Sequence, residues 1–88
     1  MTYVIQHLCF MDGSAPEFEG QYIKTFDHEA HRGQGQADFT PNPAEAMQFA
    51  TAGEAFEFWK RQSRVRPLRP DGRPNRPLTA STITVVAT

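Results

Sequence analysis

Apolar and polar residues follow strand-like patterns over the first 40 residues. Residues 3–10 are rich in β-branched and aromatic side chains, and their apolar residues fall on both faces, which predicts a central or well-covered strand. Residues 21–26 predict a second strand after the turn signal at Gly20, and residues 37–40 predict a short third strand. We expect the first two strands to pair antiparallel.

Two helix-start signals follow in the middle of the chain. Each has a capping residue with a glutamate three positions later, the arrangement in which side chains satisfy the free N–H groups of a first turn. They predict a short helix over residues 43–50 and a second helix over residues 52–63. The capping and first-turn residues are Asn42, Pro43 and Glu45 in the first helix, and Thr51 and Glu54 in the second.

The second predicted helix carries an apolar stripe at helical spacing. Residues separated by three and four positions lie on one face of a helix, so we expect this face to pack against the sheet. The stripe consists of Ala52, Ala55, Phe56, Trp59 and Ser63, is widened by Phe58, and should meet Met47 and Phe49.

Residues 64–78, called the arm below, interrupt these patterns with alternating arginine and proline. Proline fixes φ and lacks a backbone donor, so we expect a stiff, extended arm that turns once at Asp71-Gly72 and is pinned to the core by Val65 and Leu68. Residues 79–88 have strand composition and predict a last strand beside the first. The arginines of the arm are Arg64, Arg66, Arg69, Arg73 and Arg76.

Together these elements predict an α+β fold. We expect a small antiparallel sheet of three to four strands with two consecutive helices on one face, in the order β-β-β-α-α-β. The length of 88 residues predicts one domain with a thin core, in which a deep active-site cavity is hard to build. Its predicted parts are strands (residues 1–40), helices (42–63), the arm (64–78) and the last strand (79–88).

The net charge of −1 hides a strong asymmetry along the chain. Residues 1–59, called the platform below, hold nine acids against two bases, a net charge of −7, whereas residues 60–88 hold seven bases against one acid, a net charge of +6. Either the arm pairs with the acids of the platform, or the molecule displays two oppositely charged regions to partners. In the second case the candidate partner-binding residues are Arg66, Arg69, Arg73 and Arg76 of the arm, or the acids Glu17, Glu19, Asp27 and Glu29.

The sequence contains no pattern typical of an active site. His28 and His31 are three positions apart beside glycines, which does not match a helical zinc motif, and we expect neither a bound metal nor a cofactor. No acid, base and nucleophile converge in the pattern, so we expect a protein that is not an enzyme. A solitary cysteine, Cys9, and an N-terminus with neither a basic region nor a long apolar stretch favour a cytoplasmic protein without a membrane partner.

Three segments resemble a group of small, mostly uncharacterised proteins carried by proteobacterial phages, prophages and gene-transfer-agent-like elements. The segments are GQYIKTFD at residues 20–27, TPNPAEAMQFA at residues 40–50 and RPDGRPNRPLTA at residues 69–80. The resemblance implies a phage-borne accessory protein and, among such proteins, an inhibitor of the anti-CRISPR type.

The favoured hypothesis is therefore a non-enzymatic protein that binds and stoichiometrically inhibits a host protein or ribonucleoprotein complex, CRISPR–Cas being the example that the resemblance implies. Arginine is enriched at interface hot spots, and complementary charge speeds encounter. The first alternative is nucleic-acid binding through the arm; the negative platform counts against it. The second alternative is a small enzyme, which we disfavour. Both a monomer and a dimer are compatible with the sequence.

Overall fold

The computed structural model describes residues 1–88 and contains one four-stranded antiparallel sheet. The order of its strands is β3-β2-β1-β4, so β1 is central, as its apolar residues on both faces predict. The α+β fold is thus confirmed. The elements are β1 (Tyr3–Phe10), β2 (Tyr22–Asp27), α1 (Ala30–Gly33), β3 (Gln36–Thr40), α2 (Ala52–Trp59) and β4 (Ser81–Ala87), with 3-10 turns at Pro16–Phe18, Pro43–Glu45 and Pro77–Ala80.

The two neighbours of β1 pair with it very differently. β4 pairs along the whole of β1, with a register shift between His7 and Cys9. β2 pairs with β1 at only one position, Gln6 opposite Tyr22. The β2–β3 hairpin therefore diverges from the β1–β4 pair, and other segments fill the space between them.

One of these segments is the stretch for which the sequence predicts the first helix. The Asn42 side chain caps its start by accepting a hydrogen bond from Ala44 N at 3.0 Å, as predicted, but only the 3-10 turn Pro43–Glu45 forms. Beyond it, Met47 N donates to a β2 carbonyl at 3.0 Å, and Phe49 exchanges backbone hydrogen bonds of 2.8 and 2.9 Å with Tyr3. The prediction of a helix up to residue 50 is wrong because these N–H groups bind strands instead of helical carbonyls.

The second helix begins where it was predicted to begin and ends early. Thr51 caps it by accepting from Glu54 N at 3.1 Å, but the helix stops at Trp59 rather than at residue 63. The predicted apolar stripe is also rotated: Phe58 is only 8% exposed and lies in the core, whereas Phe56 is 43% exposed. Because the helix has only two turns, one narrow face meets the sheet. The buried core consists of Ile5, Ile23, Ala55, Phe58 and Leu78.

The arm is not extended. It turns at Asp71-Gly72 as predicted, but it then folds back on itself, with a bridge between Leu68 and Pro74. Val65 and Leu68 are 62% and 53% exposed, so the prediction that they pin the arm to the core is wrong. Polar contacts hold the arm instead. No helix of the structure is long and apolar enough to span a bilayer.

Candidate functional site

The tip of the arm is a tight hairpin. Arg69 N donates to Arg73 O at 2.7 Å, and Gly72 N donates back to Arg69 O at 2.9 Å. Gly72 has a φ of +85°, which glycine adopts without steric cost. The Asp71 carboxylate accepts from Arg73 N at 3.0 Å. The backbone from which the Arg69 and Arg73 side chains project is therefore held by local hydrogen bonds.

Asn75 connects the two branches of the arm to each other and to the platform. Its backbone N–H donates to Pro67 O, and its carbonyl accepts from Ser63 N, both at 2.8 Å. Its side-chain Nδ2 donates to Arg66 O at 2.9 Å and to Gly33 O at 2.8 Å. This one residue makes four hydrogen bonds, and it donates three of them from N–H groups that the prolines of the arm lack.

Glu29 fastens the start of the arm. Its carboxylate accepts from Ser63 Oγ at 2.6 Å and from Arg64 N at 2.8 and 2.9 Å. The hydrogen bond from Ser63, together with that from the backbone of Arg64, lowers the pKa of Glu29. The hydrogen bonds from Arg64 come from its backbone, and the positive charge of its guanidinium, which forms no ion pair with Glu29, lowers the same pKa further.

The helical turn α1 provides the other anchor point. His31, Arg32 and Gly33 have φ values of +53°, +59° and +86°, so the chain winds in the left-handed sense here. Such a run is costly for residues other than glycine and persists only where the surroundings hold it. A Cβ on Gly33 would lie 2.7 Å from Arg66 Cβ, so the arm packs directly on this turn.

The arginine side chains of the arm do not pair with the platform. The only ion pairs in the arm join Arg69 and Arg73 to Asp71, each at 3.9 Å and with side chains 57% and 79% exposed. Exposed pairs of this kind contribute about 0–1 kcal/mol. Arg66 and Arg76 form no ion pair. The charge asymmetry allows the arm either to pair with the acids of the platform or to display its charges to partners. In the structure the arm displays its charges.

Three of these arginines surround two adjoining clefts. The clefts share Gln34, Arg69 and Asn75 in their walls. The smaller has a volume of about 190 Å³ and adds Arg66, whereas the larger, about 460 Å³, adds Arg76. The structure therefore brings Arg66, Arg69 and Arg76 together along one groove, and it places Arg73 at the exposed tip of the hairpin.

The four candidate acids do not form one surface. Glu17 and Glu19 lie on or beside the 3-10 turn that precedes β2, whereas Asp27 and Glu29 lie at the other end of that strand. A strand of six residues separates the two pairs, which corresponds to roughly 20 Å. Asp27 Oδ1 accepts a hydrogen bond from Glu29 N at 2.9 Å, which stabilises the turn after β2. Glu29 in turn holds the start of the arm. Glu17 and Glu19 are exposed and free of ion pairs.

The two histidines near α1 have separate environments. His28 is buried, and its Nε2–H donates to Phe58 O at 3.0 Å, while burial lowers its pKa. His31 is exposed and hydrogen-bonds through Nε2 to Gln36 Oε1 at 2.8 Å. No group of three or more histidine, cysteine, aspartate or glutamate side chains is arranged to hold a metal ion.

The sequence singled out the arginines as candidates but gave no indication of Asn75, Gln34 or the anchoring role of Glu29. A usable signal was the proline content itself. Four prolines remove four backbone donors, so a folded arm needs side-chain donors, and Asn75 carries the only side-chain amide within residues 64–78. The role of Glu29 depends on contacts across 34 and 35 residues, which no local pattern reveals.

No protein-family model matches the chain, and no curated protein or solved structure shows significant similarity to it. The resemblance to phage-borne proteins therefore stays a prediction.

Proposed function

We propose that this protein is a non-enzymatic binding protein that uses the arginines of its arm to attach to an anionic surface of a host protein or ribonucleoprotein complex, and that it blocks this target stoichiometrically. The observation that carries the proposal is the display of Arg66, Arg69, Arg73 and Arg76 on a fastened loop, with none of them in an ion pair with an acid of the platform.

Preorganisation is the first argument. Binding usually costs conformational entropy, because long side chains and loops must become ordered. The backbone of the arm is already held by Asn75 and Glu29, so most of the ordering of the loop is complete before a partner arrives. The guanidinium forks then offer paired donors that match carboxylate and phosphate groups.

The charge of the platform is the second argument. Residues 1–59 carry a net charge of −7, which repels an extended polyanion everywhere except at the arm. A compact acidic patch on a protein or ribonucleoprotein fits a small basic loop better than a long phosphate backbone does. This favours a protein or ribonucleoprotein partner over naked nucleic acid.

The sequence resemblance supplies the biological setting of the proposal. A protein carried by a phage or other mobile element gains from blocking a host defence complex, and an anti-CRISPR inhibitor is such a protein. CRISPR–Cas complexes combine protein surfaces with RNA phosphates, and both can receive guanidinium groups.

The test compares three forms of the protein as immobilised bait in lysates of bacteria that carry CRISPR–Cas systems. The arm variant combines Arg66→Ala, Arg69→Ala and Arg76→Ala. The control carries the same loss of three charges outside the arm, at three exposed positions: Lys24→Ala, Arg32→Ala and Lys60→Ala.

We expect the wild type and the control to retain the same complex and the arm variant to lose it. The retained complex should lose its activity when an equimolar amount of this protein is added. Equal retention by all three forms would refute the role of the arm. Fluorescence anisotropy with labelled single-stranded RNA and duplex DNA separates the alternative: tight, steeply salt-dependent binding of naked nucleic acid that the arm variant loses would replace the proposal by nucleic-acid binding.

A further inference from the structure

The smaller of the two arginine clefts has no acid in its wall. It has a volume of about 190 Å³, and Arg66, Arg69 and Gln34 line it. The other lining residues are Gly33, Pro70 and Asn75. Two positive charges therefore share one small cleft in which no residue carries the opposite charge.

The side chains that line this cleft have unused hydrogen-bond donors. Arg66 forms no ion pair, and only its backbone N–H and carbonyl are hydrogen-bonded. Arg69 has one ion pair, with Asp71 at 3.9 Å, and an exposed pair of this length is weak. The side-chain amide of Gln34 is exposed and makes no hydrogen bond. Since a guanidinium carries five N–H donors and an amide two, the cleft offers more donors than the folded chain uses.

The backbone beneath these side chains is fixed before any ligand binds. A Cβ on Gly33 would lie 2.7 Å from Arg66 Cβ and 3.0 Å from Asn75 Nδ2, so the Arg66 side chain begins in contact with the wall of the cleft. Arg69 N donates to Arg73 O at 2.7 Å, which holds the other arginine position. A ligand therefore has to order only the ends of the side chains.

The symmetry of the arm concentrates its positive charge. The motif RPLRP at residues 66–70 returns as RPNRP at residues 73–77 on the other side of the turn. Backbone hydrogen bonds between the two motifs place Arg69 opposite Arg73. Like charges opposite each other destabilise a hairpin, and Asp71 is the only acid of the arm. A bound anion would offset this repulsion.

The size and charge of the cleft restrict the anion. A cavity of about 150 Å³ holds benzene, so a cleft of about 190 Å³ takes one compact group rather than a stretch of peptide or nucleic acid. A phosphate monoester has a charge of about −1.5 to −2 at pH 7 and three acceptor oxygens, which matches two guanidinium groups and one amide. A carboxylate or a phosphodiester has a single charge and two free oxygens, and would leave donors of the cleft unused.

We propose that the smaller cleft binds a phosphate monoester, which Arg66, Arg69 and Gln34 hold. This group ends a 5′-phosphorylated RNA chain, and a free nucleotide carries it too. The inference rests on the proposed function, because the same arginines attach the protein to its target, and it names the anion that they take. A chain that enters only by its end keeps the rest of its phosphates away from the negative platform.

The test compares four probes by calorimetry with the wild-type protein: uridine 5′-monophosphate, a uridine trinucleotide with a 5′-phosphate, the same trinucleotide with a 5′-hydroxyl, and succinate. Succinate matches the charge of the phosphate but divides it between two carboxylates. The two probes with a phosphate monoester should bind about tenfold or more tightly than the other two, because only they engage both guanidinium groups through one compact group.

The outcomes decide both the chemistry and its source. Equal affinity of the two trinucleotides, succinate that binds as tightly as uridine 5′-monophosphate, or no binding of any probe would overturn the proposal. A phosphorylated trinucleotide that binds more tightly than the mononucleotide supports the end of an RNA chain as the ligand, and equal affinity of these two supports a free nucleotide.

Three variants locate the binding. Gln34→Glu replaces the exposed amide by a carboxylate of the same size, and Arg66→Ala removes one guanidinium; each should weaken binding by about tenfold or more. Arg32→Ala is the control, because it removes an exposed guanidinium from α1 outside the cleft, and it should weaken binding by less than about threefold. Binding that survives both cleft variants would refute the assignment. Because the Gln34 side chain makes no hydrogen bond, Gln34→Glu should fold as the wild type does.

This inference and the proposed function can fail separately. The lysate experiment measures retention of a complex without any added phosphate ester. If the arm retains a complex but no probe binds, this inference fails and the proposed function stands. If the phosphate monoesters bind in the cleft but the arm variant retains the same complex as the wild type, the proposed function fails and this inference stands.

Discussion

Replacing Asn75 by alanine should weaken the attachment of the arm to the platform without changing any charge. The substitution removes the two hydrogen bonds of Nδ2, to Gly33 O at 2.8 Å and to Arg66 O at 2.9 Å. The backbone hydrogen bonds of residue 75 can persist, because alanine keeps the N–H and carbonyl groups. The perturbation is therefore confined to one link between the arm and α1 and one link between the two branches of the arm.

The expected loss follows from these two hydrogen bonds. Each contributes about 1 kcal/mol net, so Asn75→Ala should cost about 2 kcal/mol of unfolding free energy. In a domain of this size, such a loss lowers the melting temperature by roughly 10 °C. The amides of Arg69 and Gly72, at the hairpin tip, should also exchange faster with solvent if the whole arm loosens.

Thermal unfolding followed by circular dichroism measures the first effect, and hydrogen exchange measures the second. Gln34→Ala is the matched control: Gln34 lines the same clefts, but its side chain makes no hydrogen bond, so its loss should change the melting temperature by less than about 2 °C. If Asn75→Ala and the wild type have the same melting temperature, the arm is not held through this side chain, and the argument from preorganisation fails.

Three further predictions concern the anchor points of the arm and the core beside them. Glu29→Gln should lower the melting temperature near neutral pH. Because the pKa of Glu29 is lowered in the folded chain, the ionised carboxylate contributes its full stability above pH 4.5, and this stability is lost as the pH falls below that value. The melting temperature of the variant should therefore depend less on pH than that of the wild type below pH 4.5. His28→Phe should weaken the loss of stability that the wild type shows as the pH falls below 6.5, because burial lowers the pKa of His28 and the unfolded chain takes up its proton first; identical pH profiles would contradict this. Gly33→Ala should cost about 1–3 kcal/mol more than Gly13→Ala in urea unfolding, because both glycines have positive φ but only Gly33 has a side chain within 3 Å of the added Cβ.

The strands were predictable because their signals are local. β-branched and aromatic residues with turn residues at their ends define β1 and β4, and both pair where the pattern places them. The cap of α2 at Thr51 was predictable for the same reason, since the capping side chain and its backbone partner are three residues apart.

The errors come from competition between local signals and distant partners. The segment after Pro43 has good helical propensity, but the space left because β1 and β2 pair at a single position draws Met47 and Phe49 into strand-like pairing. Phe56 and Phe58 are both compatible with a buried helix face, and only the direction from which the sheet approaches decides that Phe58 is covered. Neither outcome is encoded within the segment itself.

The same competition explains how the arm can be both rich in proline and ordered. The chain cannot hold residues 64–78 with a regular ladder of backbone hydrogen bonds, so it uses Asn75 and the carboxylate of Glu29. These links are hydrogen bonds to hydroxyl, carbonyl and backbone N–H groups rather than ion pairs between side chains.

Salt screens exposed charges over about 10 Å at 0.1 M but acts weakly on short hydrogen bonds. Raising the salt concentration from 50 to 500 mM should therefore weaken binding of an anionic partner by tenfold or more, while the melting temperature changes by less than about 3 °C. A melting temperature that fell in parallel with the affinity would show that charge pairing, and not this hydrogen-bonded frame, holds the arm.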